Sequence, residues 1–214
     1  MAEKKIVILI SGRGSNMEAI LKARLPVGVA CVISNEPDAK GLAVARSHGV
    51  PTAVLPHGNF RDRAAFDAAL ANLIDAHQPH LIVLAGFMRI LTDGFIERYA
   101  GRIMNIHPSL LPAFTGLHTH RQALAAGVRV HGCTVHLVTR TLDRGPIIVQ
   151  AAVPVLPDDT EDTLSARVLN EEHRIYPQAI HWFCEGRVIV ADNGTVIVQD
   201  ARSSKNVLRC PQVE

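Results

Sequence analysis

The segment Asn105-Ile106-His107-Pro108 places an amide and an imidazole two residues apart at the end of an apolar run. In a β-strand alternate residues share a face, so Asn105 and His107 would point to the same side. An amide N–H and a protonated imidazole both stabilise the negative oxygen of a tetrahedral intermediate by hydrogen bonding. The spacing predicts an oxyanion-stabilising pair, and the alternative is that His107 only packs within the fold.

A carboxylate stands in a predicted turn further along the chain, at Asp143 in the segment 141–145. Most turn aspartates bond to nearby backbone. A carboxylate at the end of a neighbouring strand also orients and charges an imidazole. Because sequence spacing does not establish this contact, we treat the pairing of Asp143 with His107 as a hypothesis.

The segment Gly12-Arg13-Gly14-Ser15-Asn16 follows a buried apolar run and precedes a helical pattern. Backbone N–H groups at such a junction, together with the helix dipole, form a site for an anion such as phosphate. The alternative is that the glycines only permit a tight turn. Ser15 and Glu18 have the spacing of a capping box, which predicts Ser15 as the helix cap.

The histidines do not form a recognisable metal motif. His118 and His120 are two residues apart, whereas chelating pairs on a helix are four apart because only those share a face. We therefore predict no metal site. His118 then remains either a helix cap or a substrate contact.

The elements that must position these residues alternate along the chain. Strands are predicted at 5–11, 29–34, 52–55, 81–85, 102–106, 130–138, 146–153, 188–191 and 196–199, and helices at 15–24, 41–48, 61–77, 93–99, 118–126 and about 160–184. Alternation of this kind is typical of an α/β fold with parallel strands joined by crossover helices. The segment Asp192-Asn193-Gly194 predicts a C-terminal hairpin.

Composition excludes several classes of protein. The formal net charge is +2 and aromatic residues make up 4% of the 214 residues, which gives little basis for binding a nucleic acid. The four cysteines are scattered, as in a reduced cytoplasmic protein. The apolar run at 6–10 is too short for a signal peptide, and no stretch approaches a membrane span.

Four ordered motifs, spread over a similarity that covers roughly residues 5–190, identify a known family. They are 10–16 (ISGRGSN), 84–91 (LAGFMRIL), 105–112 (NIHPSLLP) and 116–124 (GLHTHRQAL). The chain resembles the phosphoribosylglycinamide formyltransferases, which are folate-dependent. The resemblance implies a mostly parallel twisted, Rossmann-like sheet with helices on both faces. It also implies transfer of a formyl group from the co-substrate 10-formyltetrahydrofolate to the amine of glycinamide ribonucleotide, the third step of purine synthesis.

The resemblance also implies roles for individual residues. Asn105, His107 and Asp143 match the family's catalytic trio. Residues that match the phosphate and ribose site are Gly12, Arg13, Gly14, Ser15, Asn16, Arg63 and Glu172. Residues that match the folate cleft are Met88, Arg89, Ile90, Leu91, Val138, Thr139, Arg140, Thr141 and Leu142. Arg13 stands where some members have Asn, and Arg144 where others have Gly.

The same resemblance assigns residues 1–190 to a formyltransferase domain and 191–214 to a hairpin strand and polar tail of that domain. The expected partners are the two small-molecule substrates, without nucleic acid or membrane, and the expected state is a monomer or weak homodimer in the cytoplasm.

Three other functions are alternatives to formyl transfer. Formyltetrahydrofolate deformylase shares the catalytic core but carries an added N-terminal domain, for which a first strand at residue 5 leaves no room. Methionyl-tRNA formyltransferase needs a second, basic domain that the length and balanced charge do not supply. The third is a noncatalytic nucleotide-binding module in which the loop at 12–16 binds phosphate and His107 only packs.

Overall fold

The computed structural model describes residues 4–202 and Cys210. Strands are β1 Lys5–Ile10, β2 Gly28–Ser34, β3 Thr52–Val54, β4 Leu81–Leu84, β5 Ile103–His107, β6 Val130–Leu137, β7 Ile147–Pro154, β8 Val188–Val190 and β9 Val196–Val198. Helices are α1 Ser15–Lys22, α2 Lys40–Ser47, α3 Arg63–Asp75, α4 Asp93–Arg98, α5 Thr119–Ala125 and α6 Glu161–Glu185. Every predicted strand and helix is confirmed to within a few residues. The predicted polar tail lies largely outside the described residues.

A seven-stranded sheet has the order β3-β2-β1-β4-β5-β6-β7. The pairs β2–β3, β1–β2, β1–β4 and β4–β5 are parallel, whereas β6–β7 is antiparallel and β8–β9 forms the separate predicted hairpin. The mostly parallel α/β prediction is confirmed. The strand order reverses between β1 and β4, and ligands of open α/β sheets bind beyond the carboxyl ends of the strands at such a switch point.

The chain divides into two compact units. The first comprises the described residues up to 105 together with 137–140. Its central strand β1 is buried on both faces, with Ile6–Ile10 fully inaccessible to water, because parallel strands covered by helices on both sides have no solvent-facing side. Side chains from β1, β2, β4, α3 and α4 form one core cluster around Leu9, Phe66 and Phe95.

The second unit comprises 106–136 and the described residues from 141 onward. Its longest helix, α6, begins with a capping box in which Thr160 accepts the Thr163 N–H, and Glu161 and Asp162 lie in the first turn. Acidic side chains at this end stabilise the helix dipole, as the sequence predicts. None of the helices within the described residues combines the length and hydropathy needed to cross a membrane.

Candidate active site

The loop Gly12–Asn16 joins β1 to α1 in the first unit, directly at the switch point. Helix α1 begins at Ser15, but the capping residue is Gly14 and no side chain caps the helix. The prediction of Ser15 as the cap is therefore wrong. Gly14 has a φ of 77°, a left-handed conformation that glycine adopts without steric cost. Helix α1 thus begins within the loop, and the first-turn N–H groups of a helix are the groups that bind an anion in such sites.

A close backbone contact fixes the loop. A Cβ atom on Gly14 would lie 2.9 Å from the Cα of Gly41, and the Gly41 N–H donates to the Gly12 carbonyl at 3.0 Å. The two glycines therefore let α2 approach the loop at backbone distance. Arg63 begins α3 and is exposed.

Substitution of Gly14 by alanine is expected to lower the free energy of unfolding by about 2 kcal/mol or more, since it adds backbone strain to a steric clash. Gly12 provides the matched control, because a Cβ there would meet nothing within 4 Å. Urea denaturation of both variants measures the difference. Equal stability of the two variants would contradict the close packing described.

The segment between β4 and α4 carries four of the predicted folate-binding residues. Met88 and Ile90 are 68% and 61% exposed, whereas Leu91 belongs to the core of the first unit. The guanidinium of Arg89 lies 5.6 Å from the ring centre of Phe66. Exposed apolar side chains on an anchored backbone are suited to a flat heterocycle.

The remaining predicted folate residues lie on 138–142. Val138 packs on the core of the first unit and donates its N–H to the Ile103 carbonyl at 2.8 Å, and Arg140 is paired with Glu97. Thr141 and Leu142 belong to the second unit, where the Thr141 carbonyl accepts the Arg144 N–H and Leu142 is exposed.

The structure brings His107 and Asp143 together within the second unit. The His107 Nδ1 atom lies 3.6 Å from Asp143 Oδ2, and both side chains are buried. Asp143 Oδ2 also accepts the Gly116 N–H at 2.8 Å, and Asp143 Oδ1 lies 4.0 Å from His136 Nε2. A carboxylate held by a backbone N–H and facing two imidazoles is fixed in position, which is what an orienting group requires.

The second nitrogen of His107 is also engaged. Its Nε2 atom lies 3.0 Å from the carbonyl oxygen of Phe114. A carbonyl only accepts, so Nε2 carries the proton in this arrangement. For Nε2 to donate a hydrogen bond to a substrate oxygen, its hydrogen bond to the Phe114 carbonyl must therefore break.

Asn105 is the alternate residue to His107 on β5, as the strand prediction requires, and it is half-buried. Glu172 is buried on α6 in the second unit and raises the pKa of the buried Cys133 thiol, for which burial itself is the larger cause. His118 occupies the capping position of α5 with φ of 58°, but its side chain does not cap the helix.

A polar network holds the segment that follows His107. The buried Thr134 hydroxyl donates to the Ser109 carbonyl at 2.7 Å and accepts the Leu111 N–H at 3.0 Å. Gln150 donates to the Leu111 carbonyl at 2.9 Å. Sequence reasoning missed this network and the Phe114 and Gly116 contacts, because backbone groups leave no residue-type signal in a sequence.

The imidazole rings of His120 and His131 lie close together in the second unit. The rings of His120 and His131 are 5.3 Å apart, and Phe114 lies 5.8 Å from His131. Burial lowers the pKa of His131 from 6.5 to about 4, and the charge of His120 lowers it further. The Pro108 carbonyl opposes this shift, and His107 makes the smallest contribution. Burial also lowers the pKa of His120, against the opposing charge of Glu161.

The lowered pKa of His131 predicts acid sensitivity. The unfolded chain binds a proton below pH 6.5 and the folded chain only near pH 4. Stability from the neutral ring is therefore complete above pH 6.5 and is lost as the pH falls toward 4. Between pH 7.5 and 5 the free energy of unfolding of the wild-type protein is expected to fall by about 2 kcal/mol more than that of His131→Phe. Urea denaturation at the two pH values measures this difference. An identical slope in the wild type and in His131→Phe would refute the assignment.

Comparisons with known proteins show the family to which the chain belongs. The formyl transferase family model matches residues 4–180. The chain is 51% identical over 192 residues to the phosphoribosylglycinamide formyltransferase of Escherichia coli, covering 88% of this chain and 91% of that protein. This chain belongs to the phosphoribosylglycinamide formyltransferase family.

Solved structures of the family superpose closely. The glycinamide ribonucleotide transformylase 1 of Symbiobacterium toebii has a TM-score of 0.89 at 50% identity, covering 92% of this chain and 95% of that one. A formyltetrahydrofolate deformylase from Pseudomonas syringae has a TM-score of 0.86 at 31% identity, but only 66% of that chain is covered. The likeness is thus more complete to the formyltransferase than to the deformylase.

Proposed function

We propose that this formyltransferase catalyses the transfer of the formyl group of 10-formyltetrahydrofolate to the amine of glycinamide ribonucleotide, with Asn105, His107 and Asp143 as its catalytic residues. The approach of the Asp143 carboxylate to His107 within a family of this activity is the observation that carries the proposal. Both substrates are small molecules, and the folate acts as a co-substrate.

Each residue of the trio has a chemical task. The substrate amine attacks the formyl carbon, and the carbonyl oxygen becomes an oxyanion that the Asn105 amide and the His107 imidazolium stabilise by donation. Asp143 orients the imidazolium and stabilises its charge. As the bond between the formyl carbon and N10 of the folate breaks, N10 regains a proton and the amine loses one, a relay that Asp143 supports through water.

The substrate phosphate is assigned to the loop formed by Gly12, Arg13, Gly14, Ser15 and Asn16. The positive end of α1 supports this role. Arg63 is assigned as a charge partner of the phosphate, because it is exposed at the first residue of α3. Glu172 is assigned to the ribose hydroxyls, which a carboxylate binds by accepting hydrogen bonds.

The folate is assigned to Met88, Arg89, Ile90 and Leu91 together with Val138, Thr139, Arg140, Thr141 and Leu142. Backbone groups would hold the pterin edge and apolar side chains its faces. Arg89 is assigned to the neighbourhood of the glutamate tail, because its guanidinium is a permanent cation.

The reaction is assigned to the cytoplasm, which the four free cysteines support. We assign the active form as a monomer or weak homodimer that needs neither nucleic acid nor membrane.

An assay with purified protein separates the alternatives. With both substrates, formylated ribonucleotide should accumulate at the rate at which tetrahydrofolate is released. Release of formate without the acceptor would favour the deformylase. Phosphate binding without turnover would favour the noncatalytic module.

A further inference from the structure

Ser11 lies at the carboxyl end of β1, at the switch point of the sheet and directly before the loop 12–16. Its side chain and its backbone both contact the segment that follows β4. The Ser11 Oγ atom accepts the Met88 N–H at 2.7 Å, and the Ser11 N–H donates to the Gly86 carbonyl at 3.0 Å. Ser11, the residue directly after β1, thus holds the beginning of the segment after β4 through both its backbone N–H and its hydroxyl.

The direction of these bonds is fixed by a buried amide. Asn35 is 2% exposed, and its Nδ2 atom donates to Glu36 Oε1 at 3.2 Å and lies 3.1 Å from His57 Nδ1. The amide oxygen therefore faces Ser11, whose hydroxyl donates to it at 2.5 Å. Because the hydroxyl proton is committed to Asn35, the lone pairs of Ser11 remain to accept from Met88.

A second side chain fixes the far end of the same segment. The buried carboxylate of Asp67 accepts the Thr92 N–H at 2.6 Å and the Thr92 hydroxyl at 2.7 Å. The stretch Met88–Leu91 is therefore held at its first residue by Ser11 and just beyond its last by Asp67. All of these contacts lie within the first unit.

We infer that Ser11 and Asp67 are positioning residues for the folate, because they fix the backbone of Met88–Leu91 in the form that receives the pterin. This inference rests on the proposed function, in which that backbone holds the heterocycle. Neither side chain is needed for the chemical step. Contacts made equally in the ground state and the transition state affect KM and leave kcat unchanged.

The test compares Ser11→Ala with Ser11→Thr, which keeps the hydroxyl, and with Ser47→Ala. Ser47 belongs to the same unit, and its hydroxyl donates to the Val44 carbonyl of its own helix. For each variant we would measure kcat, both KM values and the Kd of tetrahydrofolate by calorimetry. Since the Met88 N–H loses its partner, Ser11→Ala should raise the folate KM and the tetrahydrofolate Kd roughly tenfold. The KM for glycinamide ribonucleotide and kcat should change less than about twofold, and Ser11→Thr and Ser47→Ala should resemble wild type.

A second variant keeps the inference testable should Ser11→Ala not fold. Asp67→Asn is nearly isosteric but is a weaker acceptor, so it should raise the folate KM with the same selectivity. An unchanged folate KM in these variants, or an equal rise in both KM values, would overturn the inference while the wild-type enzyme still transfers formyl groups. A wild-type protein that binds no tetrahydrofolate would overturn the proposed function and this inference with it.

Discussion

Replacement of His107 by alanine is expected to lower kcat for formyl transfer by about 10³- to 10⁵-fold. Loss of one oxyanion donor costs about 10²- to 10³-fold, and loss of its part in proton transfer adds to this. The Kd of tetrahydrofolate should change less than about twofold, because the proposed folate segment is held by other residues. Steady-state kinetics and calorimetry on the purified variant give the two quantities.

The matched control for this prediction is His48→Ala. His48 is an exposed imidazole beyond the end of α2, so its loss should leave kcat at the wild-type value. A His107→Ala variant with wild-type turnover would remove the imidazole from the chemistry. It would favour the alternative in which His107 only packs.

Replacement of Asp143 by asparagine is expected to lower kcat by about 10²- to 10⁴-fold. The amide keeps an oxygen for the Gly116 N–H but loses the charge that orients and stabilises the imidazolium of His107. The backbone should be preserved, because Asp143 has φ of 52° and asparagine tolerates the left-handed region. The measurement is kcat together with a far-ultraviolet circular dichroism spectrum and a melting temperature.

Asp200 offers a control of the same residue type and backbone conformation. It is exposed with φ of 55°, so Asp200→Asn makes the same chemical change without touching the site. Both variants should melt close to the wild type, and only Asp143→Asn should lose activity. Equal activity of the two variants would show that the charge of Asp143 is dispensable.

The elements of the fold follow from patterns that the sequence displays directly. The continuous apolar run of β1 predicts a strand buried on both faces, and Asp192-Asn193-Gly194 predicts the β8–β9 hairpin; both are confirmed. The order of the strands in the sheet does not follow from such patterns, because the spatial neighbours β1 and β4 are separated by two strands in the chain. No local pattern encodes that pairing, so the sequence predicts the strands and their parallel direction but not their order in the sheet.

The candidate site also combines features that the sequence predicts with features that only the fold creates. The residue types and the spacing of Asn105 and His107 predict an oxyanion pair, whereas the approach of Asp143 depends on the fold. The Phe114 carbonyl and the Gly116 N–H belong to the backbone, so any residue could supply them. Ser15 has the residue type and spacing of a cap, but a glycine with positive φ caps the helix in its place.

The contact between Ser11 and Asn35 likewise cannot be predicted from the sequence. Both are ordinary polar residues in the sequence, at the ends of β1 and β2. Their hydrogen bond exists only because those strands are parallel neighbours whose carboxyl ends meet. Side chains that position a binding segment from a neighbouring strand therefore become visible only in three dimensions.

The central claim is that His107 and Asp143 act as one unit in formyl transfer, and single-turnover rates in a double-mutant cycle test it most directly. Wild type, His107→Ala, Asp143→Asn and the double variant would be mixed with saturating concentrations of both substrates. If the carboxylate acts only through the imidazole, the double variant should be no slower than His107→Ala within about threefold. Losses that multiply across the two substitutions would contradict the account, because they would show that the two groups act independently.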